Sequence, residues 1–272
     1  MLLALDTSSP FGSVALHDER GERDGRGERD KIAAVATLAD GWQHGRLLVA
    51  AARDLLRQNK IELAEITTVA VGGGPGSYTG TRIGVMAAKT LAWSLQKKLV
   101  VVSSLAALAL AATRSANLDA AHLDDKHLDD KRLDGARLDD NRLDGAAKIV
   151  ALQTARADEL YCGFYAIAPD GMPRAREKDV ALSPATVAPM LDENTVVVGG
   201  GWEKTPAIFA PPIERGVKFF PYSGEPPLAA AVAEIAARGG GEVVEPLSFA
   251  PRYLRRDESP CRFEKPELKV ES

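Results

Sequence analysis

One glycine-rich stretch, GGGPGSYTGTRIG at 72–84, restricts what this chain can fold into more than any other feature. It follows the apolar run Ile66 to Val71, whose pattern predicts a buried strand. It precedes Arg82 to Gln96, which reads as a helix. Gly72, Gly73, Gly74, Gly76 and Gly80 lie between the two, with Pro75 fixing one turn. Ser77 and Thr79 both suit the helix N-cap. Such a turn leaves free N–H groups at the positive end of the helix, which suits a phosphate or carboxylate. A tight turn with close helix packing explains the same glycines as well, because a lone glycine-rich loop is a weak signal. Gly80, Gly84 and Ala88 then recur at four-residue spacing and strip one helix face of bulk. Glycine inside a helix costs about 1 kcal/mol relative to alanine. Another backbone is therefore expected against that face, either the chain's own sheet or a second protein.

Upstream, Met1 to Leu5 and Val14 to Leu16 are apolar runs around Asp6-Thr7-Ser8-Ser9-Pro10, and they predict a hairpin. An acid followed by hydroxyls at the first hairpin resembles the phosphate-binding opening of the actin, chaperone-ATPase and sugar-kinase superfamily. There the acid handles a metal or the attacking water. A plain turn capped by Asp6 is the alternative. Asp18 to Lys31 is nearly all charge and glycine and reads as a solvated loop. Ile32 to Leu38 predicts a third strand, and His44 to Lys60 an amphipathic helix with a structural histidine at its start. Leu47, Leu48, Ala51, Ala52, Leu55 and Leu56 share one side of it, while Arg46, Arg53, Asp54 and Arg57 lie off that side. Leu99 to Val102 predicts a strand and Ser104 to Thr113 a helix. Three strands, helix, strand, helix, strand, helix is the order of one half of an actin-like α/β fold.

Residues 117–145 differ in kind: NLDAA HLDDK HLDDK RLDGA RLDDN RLDGA, with a leucine at every fifth position. Five is neither a helical nor a strand period, so the leucines share no face. The reading is a disordered or loosely helical insertion at 114–146, with a β-solenoid fragment as the alternative. Lys148 to Gln153 opens a second half as a strand, and ARADELYCGFYAI continues it into a hairpin. Pro184 to Leu191 reads as a short helix, Val196 to Val198 as a strand running into Gly199-Gly200-Gly201-Trp202, and Pro226 to Arg238 as an alanine-rich helix. The second glycine turn could face the first across a cleft. The expected organisation is a first lobe at 1–113, the insertion at 114–146, a second lobe at 147–240, and a tail at 241–272 that packs back and frays at its end.

The bulk properties exclude some functions. Hydrophobic residues make up 45% and charged residues 26%, ordinary for a globular protein. The net charge is −4 and no basic patch is obvious, so RNA contact is expected to fall mainly to a partner. Cys162 and Cys261 are far apart and read as free thiols of a reducing compartment. Neither a signal peptide nor a membrane-spanning run is visible, which predicts a cytoplasmic protein with no membrane partner. His17, His44, His122 and His127 contain no HExxH or His-x-x-x-His pair, which disfavours a metallopeptidase.

The loop also resembles a family signature. GGGPGSYTGTRIG is similar to the GPGSFTGxRIG signature of the TsaB (YeaZ) family, and four more stretches agree in order: LLALDTSS at 2–9, HGRLL at 44–48, ARADELY at 155–161 and PRYLR at 251–255. The resemblance implies a two-lobed actin-like fold with mixed sheets flanked by helices. It implies a non-catalytic partner of a TsaD-like enzyme in making threonylcarbamoyladenosine beside the tRNA anticodon. That enzyme transfers the threonylcarbamoyl group; a TsaE-like ATPase and tRNA join through the complex, and self-association to a homodimer is a further expectation. No cofactor of the chain itself is certain; ATP or ADP at the heterodimer is the nucleotide implied. A degenerate nucleotide cleft would use Asp6, Thr7, Ser8, Gly74, Gly76 and Gly200, with no catalytic residue and no metal ligand assigned. The partner surface would use Leu47, Ala51, Gly80, Gly84, Ala88 and Leu91, on helices 44–58 and 80–96. The family usually carries Asp where this chain has Thr154, and only a short connection where it has the repeat. An ATP-dependent phosphotransferase of the same superfamily is the alternative function.

Overall fold

β1 (Leu2–Asp6) is buried on both faces, and its side chains divide with the strand period of two. Leu2 and Ala4 enter one core, Leu3 and Leu5 another. The structure, a computed structural model, describes residues 1–18, 31–38, 44–122, 148–156, 158–251 and 254. β1 pairs antiparallel with β2 (Gly12–Asp18), which pairs antiparallel with β3 (Lys31–Leu38). After α1 (His44–Gln58), β4 (Thr68–Gly72) lies parallel to β1. α2 (Tyr78–Leu95) then leads to β5 (Lys98–Val102), parallel to β4, and to α3 (Ser104–His122).

The second half opens with the hairpin β6 (Lys148–Arg156) and β7 (Glu159–Ile167). β8 (Pro173–Ala175) and β9 (Val180–Leu182) both pair with β7. α4 (Pro184–Val187) runs into a 3₁₀ turn at Ala188–Met190. β10 (Thr195–Gly199), α5 (Pro206–Glu214), β11 (Lys218–Pro221), α6 (Leu228–Ala237) and β12 (Glu242–Val244) complete the described chain. The strands make two mixed sheets, ordered β12-β5-β4-β1-β2-β3 and β11-β10-β6-β7-β8, with β9 on β7.

The elements stack in five layers. α1 and α2 cover the outer face of the first sheet through Leu48, Leu55, Val85 and Ala92. α4 and α5 cover the outer face of the second through Val187 and Phe209. α3 and α6 lie between the sheets and share one core with both. The inner face of the first sheet is small, with Ala4, Ala15 and Ala70, and it meets the alanine-rich α6. Small against small lets helix and sheet approach closely, which dispersion rewards. Arg114 of α3 pairs with Glu234 of α6, and Arg238 pairs with the same carboxylate at 3.2 Å.

Most expected elements are present, with some differences. The helix expected at 104–113 continues to His122, so the boundary drawn at 113 falls inside α3 and the first repeat residues are helical. The remainder of the repeat, residues 19–30 of the charged loop, and PRYLR apart from Pro251 and Leu254 lie outside the described residues. α6, assigned to the second lobe, packs on β1, β2 and β4 of the first sheet. α5 was not expected, because Pro211 and Pro212 inside it masked the helical pattern. β12 pairs antiparallel with β5 through Glu242–Val244.

Candidate functional site

The glycine loop is folded around Asp6. A Cβ on Gly72 would lie 1.8 Å from Asp6 Oδ2, so only glycine lets β4 end beside that carboxylate. Gly74 takes φ 94°. Its N–H donates to Ser104 Oγ at 3.1 Å, and its carbonyl accepts from the Ser104 N–H at 3.0 Å. A Cβ on Gly76 would meet the Ser8 carbonyl at 2.6 Å and Gln153 Oε1 at 2.7 Å. The Ser77 N–H donates to the same Ser8 carbonyl at 2.7 Å, and Ser77 Oγ caps α2 by accepting from the Gly80 N–H. Of the two expected caps, Ser77 is the one used.

Asp6 is fully buried. Its carboxylate accepts from the Ser8 N–H and Ser8 Oγ, both at 2.9 Å, and from Ser104 Oγ at 3.4 Å. Burial pushes its pKa up to about 6, against the opposing pull of those donors. Tyr222 stands near enough for the Asp6 charge to raise its phenol further, after burial as the main cause. Thr7 Oγ1 donates to the Gly80 carbonyl at 2.6 Å.

Asp6, Thr7, Ser8, Gly74 and Gly76 are therefore brought together at the sheet ends. Gly200 is not part of that cluster: its N–H donates to the Leu152 carbonyl of β6 in the second sheet. Sequence reasoning missed Ser104 and Gln153. Gln153 Oε1 is buried with no protein partner and reaches the glycine loop from β6. It also missed a brace between the two sheets. Ser103 Oγ donates to Asp179 at 2.6 Å, and Tyr165 OH donates to the other Asp179 oxygen at 2.8 Å. The Ser-Ser pair ahead of α3 was the local signal, since Ser103 Oγ also accepts from the Ala106 N–H at the helix start.

In this arrangement Asp6 exposes no surface. Asp6 is sealed behind Gly72 and its lone pairs are engaged by the chain's own donors. Gln153 Oε1 and the Ser8 carbonyl stand within 2.7 Å of the position of a Cβ on Gly76. Thr154, which stands for the family acid, has its hydroxyl 2.8 Å from the Cβ position of Gly201 and packs there. No group of three His, Cys, Asp or Glu side chains that could hold a metal ion occurs among the described residues.

Solved structures share this architecture. A Pseudomonas aeruginosa protein with similarity to peptidase YeaZ matches with 27% identity and TM-score 0.66, over 93% of this chain and 99% of that one. YeaZ from Pseudomonas aeruginosa matches with 28% identity and TM-score 0.65 over the same shares. The Escherichia coli protein TsaB, a tRNA threonylcarbamoyladenosine biosynthesis protein, is 27% identical over 75% of this chain and 73% of its own length. The chain is similar to proteins of the TsaB/YeaZ family over most of its length. Its fold is the actin-like one, with two mixed sheets flanked by helices. The Bacillus subtilis TsaB is 37% identical, but the match spans only 43% of that protein and 40% of this chain. A family model described as TsaD, tRNA N6-adenosine threonylcarbamoyltransferase, matches residues 41–124, which hold α1, the glycine loop, α2 and α3.

The expected partner face needs correction. Gly80, Gly84 and Ala88 are buried within the chain. A Cβ on Gly80 would lie 1.9 Å from the Thr7 carbonyl, and one on Gly84 would lie 2.5 Å from Thr7 Oγ1. The glycines admit the chain's own Asp6–Ser8 turn, so no groove remains there for another protein. Leu91 and Ala51 are half-buried between α1, α2 and the sheet. Of the expected set only Leu47 is exposed. The outward side chains of the two helices are instead Val49, Tyr78, Arg82, Met86 and Trp93.

Proposed function

We propose that this chain is the non-catalytic, TsaB-type subunit of a system that makes threonylcarbamoyladenosine in tRNA, acting as scaffold and activator of a TsaD-like transferase. The relatives named tRNA threonylcarbamoyladenosine biosynthesis protein support the pathway. The observation that carries the non-catalytic part is Asp6, the superfamily's working acid, which here is fully buried and engaged by Ser8 and Ser104. A carboxylate in that position braces three loops rather than polarising water. The TsaD-like subunit holds any metal and nucleotide, ATP or ADP bound at the heterodimer meets this chain at most from its surface, and a TsaE-like ATPase and tRNA join through the complex. The partner seats on the outward face of α1 and α2, where Met86 is 56% exposed and Trp93 58%. Large apolar side chains exposed together on packed helices support an interface. Among the described residues no helix is long and apolar enough to cross a membrane.

The test is reconstitution of tRNA modification from purified TsaD-like and TsaE-like proteins, with and without this chain, read as modified nucleoside by mass spectrometry. Modification should require the chain, and Met86→Asp should abolish both co-purification with the TsaD-like protein and the stimulation. Undiminished modification without the chain, or ATP hydrolysis by the chain alone that Asp6→Ala abolishes, would overturn the reading.

A further inference from the structure

The N-terminus of α3 joins the two sheets through two consecutive serines. Ser104 ties it to the first sheet. Its Oγ accepts from the Gly74 N–H at 3.1 Å and donates to Asp6 at 3.4 Å, while its own N–H donates to the Gly74 carbonyl at 3.0 Å. Ser103 ties it to the second. Its Oγ accepts from the Ala106 N–H at 3.2 Å and donates to Asp179 Oδ2 at 2.6 Å. Tyr165 of β7 donates to the other Asp179 oxygen at 2.8 Å, and its Oη lies 3.3 Å from Ser103 Oγ. Burial first, then the Asp179 charge, holds the Tyr165 phenol above its ordinary range, so it stays a donor. β7 gives up a side chain to admit the group: a Cβ on Gly163 would lie 2.7 Å from Tyr165 Oη and 2.9 Å from Asp179 Oδ1. Two carboxylates, one from each sheet, are thus gathered at the positive end of one helix, a favourable place for negative charge. Ser104, Asp6 and Tyr165 are buried, whereas Asp179 is half-buried and follows an exposed run from Arg174 to Lys178. Another close approach of the sheets, Gln153 Oε1 beside Gly76, makes no hydrogen bond among the described residues.

We propose that Asp179 is a latch between the sheets: seated, it fixes the N-terminus of α3 and through it the glycine loop of the opposite sheet; withdrawn, it loosens both. Hydrogen-bond chains and rigid helix ends with two arrangements carry coupling between distant groups. The chain of contacts here is unbroken, from Asp179 to Ser103, across one peptide bond to Ser104, and from Ser104 to Gly74 and Asp6. When Asp179 withdraws, Ser103 and Tyr165 are each left with a hydroxyl proton to place in a largely buried site, which costs free energy until they find another acceptor. Ser103 then leaves the geometry that caps the Ala106 N–H, and the first turn of α3, which Ser104 shares, shifts with it. The apolar core that α3 and α6 share with both sheets does not resist a small shift, because apolar burial has no preferred direction. Arg176, Glu177 and Lys178, exposed just ahead of Asp179, are the handle: a contact made there decides whether Asp179 stays seated. The device works within one chain and does not depend on which protein seats on α1 and α2.

The experiment is hydrogen exchange of single amides, read by nuclear magnetic resonance on the purified full chain. It compares the wild type with Asp179→Ala and Tyr165→Phe, and with two controls. Glu177→Ala removes a neighbouring charge from the same turn. Thr195→Ala removes a buried hydroxyl of the second sheet that bonds Asp192, away from the latch. In Asp179→Ala the Gly74 and Ser104 amides should exchange at least tenfold faster, about 1.4 kcal/mol of easier opening. Tyr165→Phe, which keeps the Ser103 bond, should speed them less, and both controls should leave them as in the wild type. Spin labels at Arg57→Cys and Glu214→Cys in a Cys261→Ser background should report a broader distance distribution between the outer layers in Asp179→Ala. If Asp179→Ala leaves Gly74 and Ser104 within twofold of the wild type, the latch is refuted. If Thr195→Ala speeds them as much as Asp179→Ala does, the effect is general loss of stability and the proposal is overturned. Should Asp179→Ala fail to fold, Tyr165→Phe decides: unchanged exchange of both amides in that variant would overturn the proposal.

Discussion

The contact between Thr7 and α2 makes a double-mutant cycle unusually informative. In Gly84→Ala the new methyl would stand 2.5 Å from Thr7 Oγ1. Thr7 is buried, and its hydroxyl donates to the Gly80 carbonyl at 2.6 Å, so it cannot turn aside without losing that bond. Stranding a buried hydroxyl costs about 1–3 kcal/mol. The helix recovers about 1 kcal/mol from replacing glycine with alanine. Residual crowding adds about 1–3 kcal/mol. Gly84→Ala should therefore destabilise by roughly 1–5 kcal/mol. Thr7→Ala alone should cost about 1 kcal/mol for the lost bond. With the hydroxyl gone, the nearest atoms to the new methyl are the residue 7 Cβ and N, both at 3.7 Å, which is ordinary contact. Gly84→Ala in the Thr7→Ala background should then be neutral or stabilising by up to about 1 kcal/mol. The coupling is thus about 1–6 kcal/mol, above the roughly 0.5 kcal/mol scatter of independent sites. Urea unfolding of the four proteins followed by circular dichroism measures it. Additive effects, or an unchanged monomer whose association alone suffers, would refute self-packing of this face and return it to a partner.

Asp6 gives a pH prediction. Its folded pKa is about 6 against 3.8 for the ordinary side chain, so between those values the folded protein keeps a proton that the unfolded chain releases. Stability should fall as pH rises through that window, by about 3 kcal/mol from this group, and level off above it. Asp6→Asn, which cannot ionise, should flatten the dependence in denaturation measured from pH 4 to 8; an identical profile in both proteins would contradict the assigned cause. Cys162 is buried, and burial first, then the Asp179 charge, pushes its thiol up to about 12. In a Cys261→Ser background a thiol reagent at pH 8 should label Cys162 only after denaturant is added, and rapid native labelling would show an opening that the packed second sheet does not provide.

How much was legible follows from where each signal lies. Strands read themselves when both faces are buried or alternate, as in β1 and β5, because period and core assignment are the same fact. The glycine spacing in α2 showed that a backbone must come close. It could not say whose, because the answer is Thr7, far back in the chain. Gly72 likewise reads as a turn residue until Asp6 is placed against it. Gln153, Ser104 and the Ser103–Asp179–Tyr165 brace were invisible for the same reason: each meets its partner across the interior, and no local pattern encodes that meeting. α5 was hidden by two prolines whose helix-breaking tendency the surrounding packing of Phe209 overrides. The start of the repeat is not a structural break, because α3 runs on through its first residues to His122.

The position of α6 and β12 also bears on how the chain can be made. The first sheet begins at residue 2, yet its inner face is covered by residues 228–237 and its β5 edge is capped by residues 242–244. On a ribosome the strands through Val102 emerge with Leu2, Ala4, Ala15, Ala70 and Val100 bare on that side. At about 5–20 residues per second the covering helix arrives roughly 6–25 s later. Throughout that interval the nascent chain displays an apolar surface that nothing in its own synthesised length can hide. The element made first is the one finished last, which places a long delay between the first strand and its cover.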